Sequence, residues 1–434
     1  MSVRATAVSL LLRQETDDTY VNLMLDAAPP FLSASDRALL TALLYGVTER
    51  RLTLDYVIAT MTKKPVDTLS PHTRACLRLG LYQLYFMDKI PSFAAVSETV
   101  ALAAHRGEAA LLNAVLRRAS REAMPLPPRE KNPARYLSVA YSFPLPTVRF
   151  FFSLYGEDET ERLLSAFNGE KRLTLRVNDR KITRDEYVAA LADAGIEAEA
   201  TVYAPHGVRI AGSHPVRELY GYEDGLFYVQ DEASQIACEA LSAIEGMRIL
   251  DLCAAPGGKS VYAAIRSCDR AEICARDLHE SKLSLIKDTA RRLSLSSVRV
   301  EARDARLLSD TDIAAYDAVI CDVPCSGLGV FGKKPDLRYA DIHARFRALV
   351  PLQGEILEAA IRAVRPGGVI LYSTCTLHPV ENSERVHAAI EAHPELSLEP
   401  FAVGGLTSDG ELTLFPHIHG TDGFYMARIR KALL

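Results

Sequence analysis

Alternation constrains the second half of this 434-residue chain more than any other feature. From Met247 onward, short apolar runs (R-I-L-D-L, A-E-I-C-A, V-R-V-E-A, A-V-I-C-D, V-I-L-Y-S-T) take turns with helical stretches at 259–266, 280–293 and 347–364. Strands separated by a helix cannot pair as a tight hairpin; they return in parallel through a crossover and are covered on both faces. The pattern predicts a parallel, doubly wound α/β sheet, whose ligands sit beyond the carboxyl ends of its strands. Residues just after strands are therefore the candidates for function.

Four of these runs end on or just before an acid: Asp251, Asp277, Asp304 and Asp322. The first run opens into D-L-C-A-A-P-G-G-K-S, which is neither a P-loop nor a G-x-G-x-x-G turn. Pro256 fixes the entry of that loop, while Gly257 and Gly258 let backbone N–H groups come close to a ligand. Each feature alone is as often an ordinary tight turn. Together, a row of carboxylates suits a ligand carrying hydroxyls, an exocyclic amine and a positive charge, and S-adenosylmethionine has all three. A dinucleotide would want more phosphate-facing glycines and fewer acids.

D-V-P-C-S-G-L-G and Y-S-T-C-T-L-H-P-V-E-N place Cys325 and Cys375 just past neighbouring strands. A lone cysteine is most often buried apolar filler. These two lie in polar, turn-forming sequence at the ligand edge, which fits a reactive thiolate better. A thiolate added to C6 of a pyrimidine turns the ring into an enamine whose C5 can accept a methyl group. A carboxylic acid at N3 would neutralise the developing charge, and a base would then take the C5 proton so that the thiolate leaves. The residues themselves do not say which thiol attacks.

The first 125 residues predict an all-helical bundle. Ser35 is the expected cap of a helix with Leu39, Leu40, Leu43, Leu44 and Val47 on its apolar side, and Ser70-Pro71 that of one carrying Leu77, Leu81, Leu84 and Tyr85. Four prolines within 124–133 predict a domain boundary. Residues 170–222 then read as a small α+β unit. A net charge of −5 hides local clusters: 171–184 holds six basic residues and one acid, so Lys171, Arg172, Arg176, Arg180 and Lys181 are candidate phosphate contacts, as are Arg117 and Arg118 at a helix end. Eight cysteines without a C-x-x-C pair suggest neither a disulfide framework nor a zinc site, and no metal is expected. Hydrophobic residues at 48% with charged residues at 24% exclude a mostly disordered chain. No uncharged apolar run approaches the roughly 18–20 residues of a spanning helix, so a cytoplasmic location without membrane partners is expected.

The combination of C-A-A-P-G-G-K, D-V-P-C-S-G and S-T-C-T, in that order, resembles the bacterial RsmB (Sun-type) ribosomal RNA cytosine-5 methyltransferases. The likeness runs over nearly the whole chain: D-R-A-L-L-T-A-L-L-Y-G-V-T-E-R-R-L-T-L-D and L-R-L-G-L-Y-Q-L-Y-F-M-D-K-I-P are similar to the family's NusB-like domain, and L-T-L-R-V-N with G-L-F-Y-V-Q-D-E-A-S-Q to its linker. It implies a NusB-like RNA-binding bundle at 1–125, a linker with a small α+β subdomain at 126–225, and a class I, Rossmann-like catalytic domain at 226–434. It further implies that Cys253, Ala254, Ala255, Pro256, Gly257, Gly258, Lys259, Asp277, Asp304 and Asp322 line an S-adenosylmethionine pocket. Asp277 would bind the ribose and Asp304 lie near the adenine. Cys375 would be the nucleophile, Cys325 would assist release, and Asp322 would face the cytosine. K-K-P-D-L-R-Y is similar to a family segment read as R-K-N-P-D-I-R-W, which makes Lys333 and Lys334 candidate RNA contacts and puts Tyr339 where Trp is common. The implied enzyme is a monomer acting on 16S rRNA; its rivals are an inactive RNA-binding assembly factor and a cytosine-5 methyltransferase of another RNA.

Overall fold

Helix caps set the N-terminal architecture. In the computed structural model, which describes residues 2–17, 21–26, 32–212 and 214–433, Ser70 accepts a hydrogen bond from Thr73 N and Pro71 opens the helix Pro71–Phe86. The cap of Ala34–Glu49 is Ser33, not Ser35. A capping oxygen must lie three residues before the N–H it accepts, and Ser33 Oγ meets Asp36 N at 3.1 Å while Ser35 already lies inside the helix. Leu40, Leu43, Leu44, Leu77 and Leu81 are fully enclosed, in one core with Leu54, Val57, Ile58, Leu112 and Leu116.

The chain forms two compact units, Met1–Gly169 with Lys333–Ala340, and Glu170–Gly332 with Asp341–Leu434. The proline-rich stretch is not where the unit changes. Pro133 instead occupies the first turn of Pro133–Tyr141, capped by Asn132, and Leu145–Phe167 follows. Phe143, Phe151, Leu163, Leu164 and Phe167 bury their side chains there. Segment Lys333–Ala340 belongs to this helical unit as well. Arg338 is fully enclosed, lying 4.2 Å from the Phe143 ring and donating to the carbonyls of Glu49 and Phe167. Tyr339 donates its hydroxyl to Thr48 O at 2.9 Å, with the Arg51 guanidinium 3.7 Å over its ring. Arg338 and Tyr339 of K-K-P-D-L-R-Y thus form an anchor within the helices. Of its lysines, Lys334 is exposed and Lys333 half-buried.

The second unit begins with a small antiparallel sheet. Strand β1 (Leu173–Val177) lies between β3 (Gly207–Ile210) and β4 (Phe227–Val229), and β2 (Ala198–Ala200) pairs with β3. The helix Arg184–Asp193 crosses it, fixed by a Thr183–Glu186 capping box. Sequence patterning marks β1 to β3. It leaves β4 inside the lead-in to the catalytic domain, because a three-residue strand carries no readable period.

The large sheet runs β10 (Leu396–Leu398), β14 (Phe424–Lys431), β9 (Val364–Thr374), β8 (Tyr316–Asp322), β5 (Arg248–Asp251), β6 (Glu272–Asp277), β7 (Val298–Ala302), with β13 (Glu411–Leu414) beside β14 and a separate hairpin of β11 (Phe401–Val403) and β12 (Leu406–Ser408). Strands β5 to β9 are mutually parallel, and β14 runs antiparallel against β9. Side chains alternate between faces, as period two requires. Ile249, Ile273, Ala318, Ile320 and Met426 enter one core with Val261, Ala264 and Ile265. Leu250, Cys274, Val319, Cys321 and Tyr372 enter the other, with Ile356, Leu357 and Ala360. Helices on both faces leave the carboxyl edge of β5, β6, β8 and β9 to carry the polar residues.

Candidate active site

The first loop past the sheet is shaped by backbone conformation. Gly257 adopts φ of +107°, and a Cβ there would sit 3.1 Å from the Ile286 side chain, so both conformation and space call for glycine. It caps the helix Gly258–Arg266, whose amino end opens toward the edge of the sheet. Asp277 accepts from Ala255 N through Oδ2 (3.2 Å) and from His279 N through Oδ1 (3.0 Å). Asp251 is fully enclosed; Oδ2 accepts from Ser260 Oγ at 2.6 Å and Oδ1 has no protein partner. Burial pushes its carboxyl up to about 7, with the nearby Asp322 charge adding to the effect. Asp304 is held by the Arg306 guanidinium and backbone N–H, which keep it below the usual carboxylate range.

Lys259 is enclosed and donates to Asp322 Oδ2 at 2.6 Å and to Ser234 Oγ at 3.1 Å. Burial alone would lower its pKa, but the Asp322 carboxylate outweighs it and holds the ammonium charged. Ser373 Oγ donates to Asp322 Oδ1 at 2.6 Å. Lys259 is therefore tied to Asp322, a pairing between β5's loop and β8 that linear spacing does not announce.

The two thiols meet. Cys325 and Cys375 lie past the adjacent strands β8 and β9 with their sulfurs 3.2 Å apart. The hydrogen bond to Cys375 and burial together raise the Cys325 thiol well above its ordinary range. Backbone bonds knit the loops: Val323 N donates to Ser373 O at 3.1 Å and Gly329 N to Cys375 O at 3.0 Å. Side chains knit them further. Glu381, fully buried, accepts from Ser326 N (2.8 Å), Ser326 Oγ (2.5 Å), Thr376 Oγ1 (3.3 Å) and Gln353 Nε2 (2.9 Å). Gln353 also donates to Pro324 O at 2.9 Å. Sequence reasoning missed both Glu381 and Gln353; Glu381 closes the T-C-T-L-H-P-V-E-N run, but nothing local reports the distant groups it bonds. Arg345 donates to Cys325 O at 3.3 Å, and the ring of His378 stands edge-on to Phe346 at 4.0 Å.

The expected phosphate contacts separate into two kinds. Arg117, Arg118, Lys171, Arg180 and Lys181 are exposed, and Arg172 is paired with Glu170 and Glu199. Arg176 differs. Its side chain is fully enclosed, 2.5 Å from Asp179 and 4.6 Å from the Tyr262 ring, because β1 is covered on both faces from Thr174 to Val177. It is not offered to solvent. Among the described residues, no group of three or more His, Cys, Asp or Glu side chains gathers as a metal site, and no helix is long and apolar enough to cross a membrane.

A doubly wound sheet with a Gly-Gly loop and strand-end acids defines a Rossmann-like methyltransferase. Three family models match: 16S rRNA methyltransferase RsmB/F over 238–430, the NusB family over 1–121, and the RsmF/B-like ferredoxin-like domain over 149–217. The chain is 36% identical to the Probable ribosomal RNA small subunit methyltransferase B of Bacillus subtilis, with 99% of each chain covered. It is 34% identical to the ribosomal RNA small subunit methyltransferase B of Pseudomonas putida, again with 99% of each covered. The crystal structure of PH0851 superimposes with a TM-score of 0.81 at 25% identity, covering 99% of both. The chain belongs to the RsmB/F family of 16S rRNA methyltransferases, and it is an rRNA methyltransferase that uses S-adenosylmethionine. The site fits that cofactor: the Asp277 carboxylate, held at the end of β6 by two backbone N–H groups beside the Gly-Gly loop, keeps lone pairs that suit a hydroxyl-bearing ligand.

Proposed function

We propose that the enzyme methylates C5 of a cytosine in 16S rRNA in the cytoplasm, through a covalent bond between Cys375 Sγ and C6 of the base. The supporting observation is the pair of sulfurs 3.2 Å apart at the ends of adjacent strands, next to the paired Lys259 and Asp322. Attack by the Cys375 thiolate on C6 pushes electrons onto C5 and N3. Asp322 faces the cytosine, and the Lys259 ammonium beside it supplies the proton-donating capacity that a carboxylate already paired with a cation lacks. Bound S-adenosylmethionine supplies an electrophilic methyl group. Once C5 is methylated, a water molecule takes its proton, the C–H electrons re-form the C5=C6 bond, the C6–S bond breaks with its electron pair going to Cys375 Sγ, and the Cys325 thiol serves this breakdown by donating a proton to the departing sulfur. Asp277 and Asp304 hold the cofactor's ribose and adenine ends, and residues 253–259 line its loop. The exposed cations Arg117, Arg118, Lys171, Arg180 and Lys181 hold RNA phosphates.

The test is a pair of substitutions on full-length enzyme and unmodified 16S rRNA. Cys375→Ala should yield no methylated product and no adduct. Cys325→Ala should methylate once and remain attached, giving a slow, nuclease-sensitive band on a denaturing gel that requires S-adenosylmethionine. Bisulfite sequencing of rRNA from a deletion strain locates the base. Turnover retained in both variants would sink the covalent mechanism, an adduct from Cys375→Ala alone would reverse the two roles, and an inactive wild type would favour the assembly factor.

A further inference from the structure

Glu381 stands outside every role assigned so far, yet it touches both halves of the thiol site. It is fully buried and accepts from Ser326 N, Ser326 Oγ and Gln353 Nε2, with Thr376 Oγ1 at 3.3 Å sharing its one proton between Glu381 and Ser326 Oγ, 2.7 Å away. Among the described residues no Lys, Arg or His forms an ion pair with it. A buried carboxylate without a counter-ion is costly, and converging hydrogen bonds are the way a protein keeps one. Two of these partners belong to Ser326, which follows Cys325, and a third to Thr376, which follows Cys375. The residues around Glu381 repeat the pattern. Tyr372 donates to Glu381 O at 2.7 Å, and Asn382 accepts from Thr374 Oγ1 at 2.6 Å while donating to Thr376 O at 3.0 Å. Each cysteine therefore lies in a segment whose neighbours are tied to the Glu381-Asn382 pair.

We propose that Glu381 is a positioning residue that ties the Cys325 loop to the Cys375 loop, so that Cys325 meets the covalent adduct in the geometry its breakdown requires. This rests on the reading of Cys375 as nucleophile and Cys325 as the releasing thiol. The carboxylate does not touch the base; it acts through Ser326 and Thr376. Its charge has a second effect. Together with the Cys375 hydrogen bond and burial, it favours the protonated form of Cys325, which leaves Cys325 a proton donor to its neighbour and not a competing nucleophile.

Glu381→Gln and Glu381→Ala separate the two effects. An amide can still accept from Ser326 N and donate to the hydroxyls of Ser326 and Thr376, which rotate, so the glutamine variant keeps the tie and loses the charge. In the alanine variant release should slow by about ten- to a hundredfold, the usual cost of misplacing a reacting group by about 1 Å. Adduct should accumulate with unmodified 16S rRNA and S-adenosylmethionine, while calorimetric cofactor affinity stays within about twofold of wild type. Glu381→Gln should recover most of the release rate. In a Cys375→Ser background, where Cys325 is the thiol under study, Glu381→Gln should move its iodoacetamide alkylation profile to lower pH by about one unit.

A folded alanine variant that releases product at the wild-type rate would overturn the positioning role. An alkylation profile unmoved by Glu381→Gln would overturn the electrostatic one. If the alanine variant does not fold, the glutamine variant decides: a release rate as slow as that of Cys325→Ala, with an unmoved profile, also overturns the proposal. Failure of the underlying reading looks different, since Cys325→Ala itself would then trap no adduct while the alkylation shift would persist.

Discussion

At the ends of β5 and β6, the carboxylates of Asp251 and Asp277 meet backbone N–H groups and one serine, and Asp251 keeps an oxygen with no protein partner. At the ends of β8 and β9, by contrast, the loops bearing Cys325 and Cys375 are cross-tied by Glu381, Gln353, the Ser326–Thr376 hydroxyl pair and two backbone bonds. The same sheet edge thus carries one region with acceptor capacity to spare and one whose polar groups are largely satisfied within the protein. A bound ligand can add to the bonds of Asp277 in the first, while the Asp251 oxygen stays enclosed within the protein. The second is pre-organised, which suits chemistry in which a bond forms and breaks at a fixed atom.

The sharpest way to break this contrast is at Gly329. A Cβ there would lie 1.8 Å from Gly423 O, so Gly329→Ala must move the loop whose N–H holds Cys375 O. Turnover should fall about a hundredfold or more, while cofactor affinity on the other side stays within about twofold. Single-turnover methylation beside calorimetry separates the two, and an equal loss in both would show that the regions are not independent. On the cofactor side, Asp277→Ala should cost about 1.5–3 kcal/mol of S-adenosylmethionine binding, roughly ten- to a hundredfold, with RNA affinity unchanged. An unaltered calorimetric affinity would remove Asp277 from the cofactor.

Sequence pattern made the sheet legible because its period-two strands and intervening helices are long, and it made the acids and thiols legible because they follow strands. What it could not show is contact between distant segments. Lys259 and Asp322 read as separate loop residues, and Glu381 as the tail of a motif, until β5, β8 and β9 lie side by side. Arg176 illustrates the reverse failure. A charge count over 171–184 treats every cation as solvent-facing, whereas β1 is covered on both faces from Thr174 to Val177 and Arg176 is enclosed with it. The anchoring of Arg338 and Tyr339 in the helical unit was equally unreadable, since no local period reports where an excursion of a few residues docks.

The half-satisfied Asp251 offers a smaller, pH-dependent test of the cofactor side. Its carboxyl is raised from an unfolded value near 3.8 to about 7 by burial, so between these values the folded protein binds more protons than the unfolded chain. The sign follows: stability from this group is present at low pH and is lost as pH rises through about 7. Asp251→Asn abolishes the titration and keeps an acceptor for Ser260. Relative to wild type without cofactor, the variant should gain on the order of 1–2 kcal/mol between pH 4 and pH 8, discounted from about 1.4 kcal/mol per pH unit for relaxation around the charge. Parallel denaturation curves at the two pH values would refute the burial argument.

The smallest effect separates cations that face solvent from one that does not. Exposed Arg180 can neutralise a phosphate and release a counterion, so Arg180→Gln should weaken binding to any rRNA fragment and reduce the slope of log affinity against log salt by about one. Arg176 lies a few residues away with the same charge, but its guanidinium is committed to Asp179 and the Tyr262 ring. Arg176→Gln should leave the salt slope where it was and instead lower the melting temperature, because Asp179 loses its buried partner. A salt titration of RNA binding with both variants, read beside their melting curves, distinguishes the two. If Arg176→Gln reduced the slope as much as Arg180→Gln, Arg176 would have to reach RNA, and its enclosure against Asp179 and Tyr262 would not hold in solution.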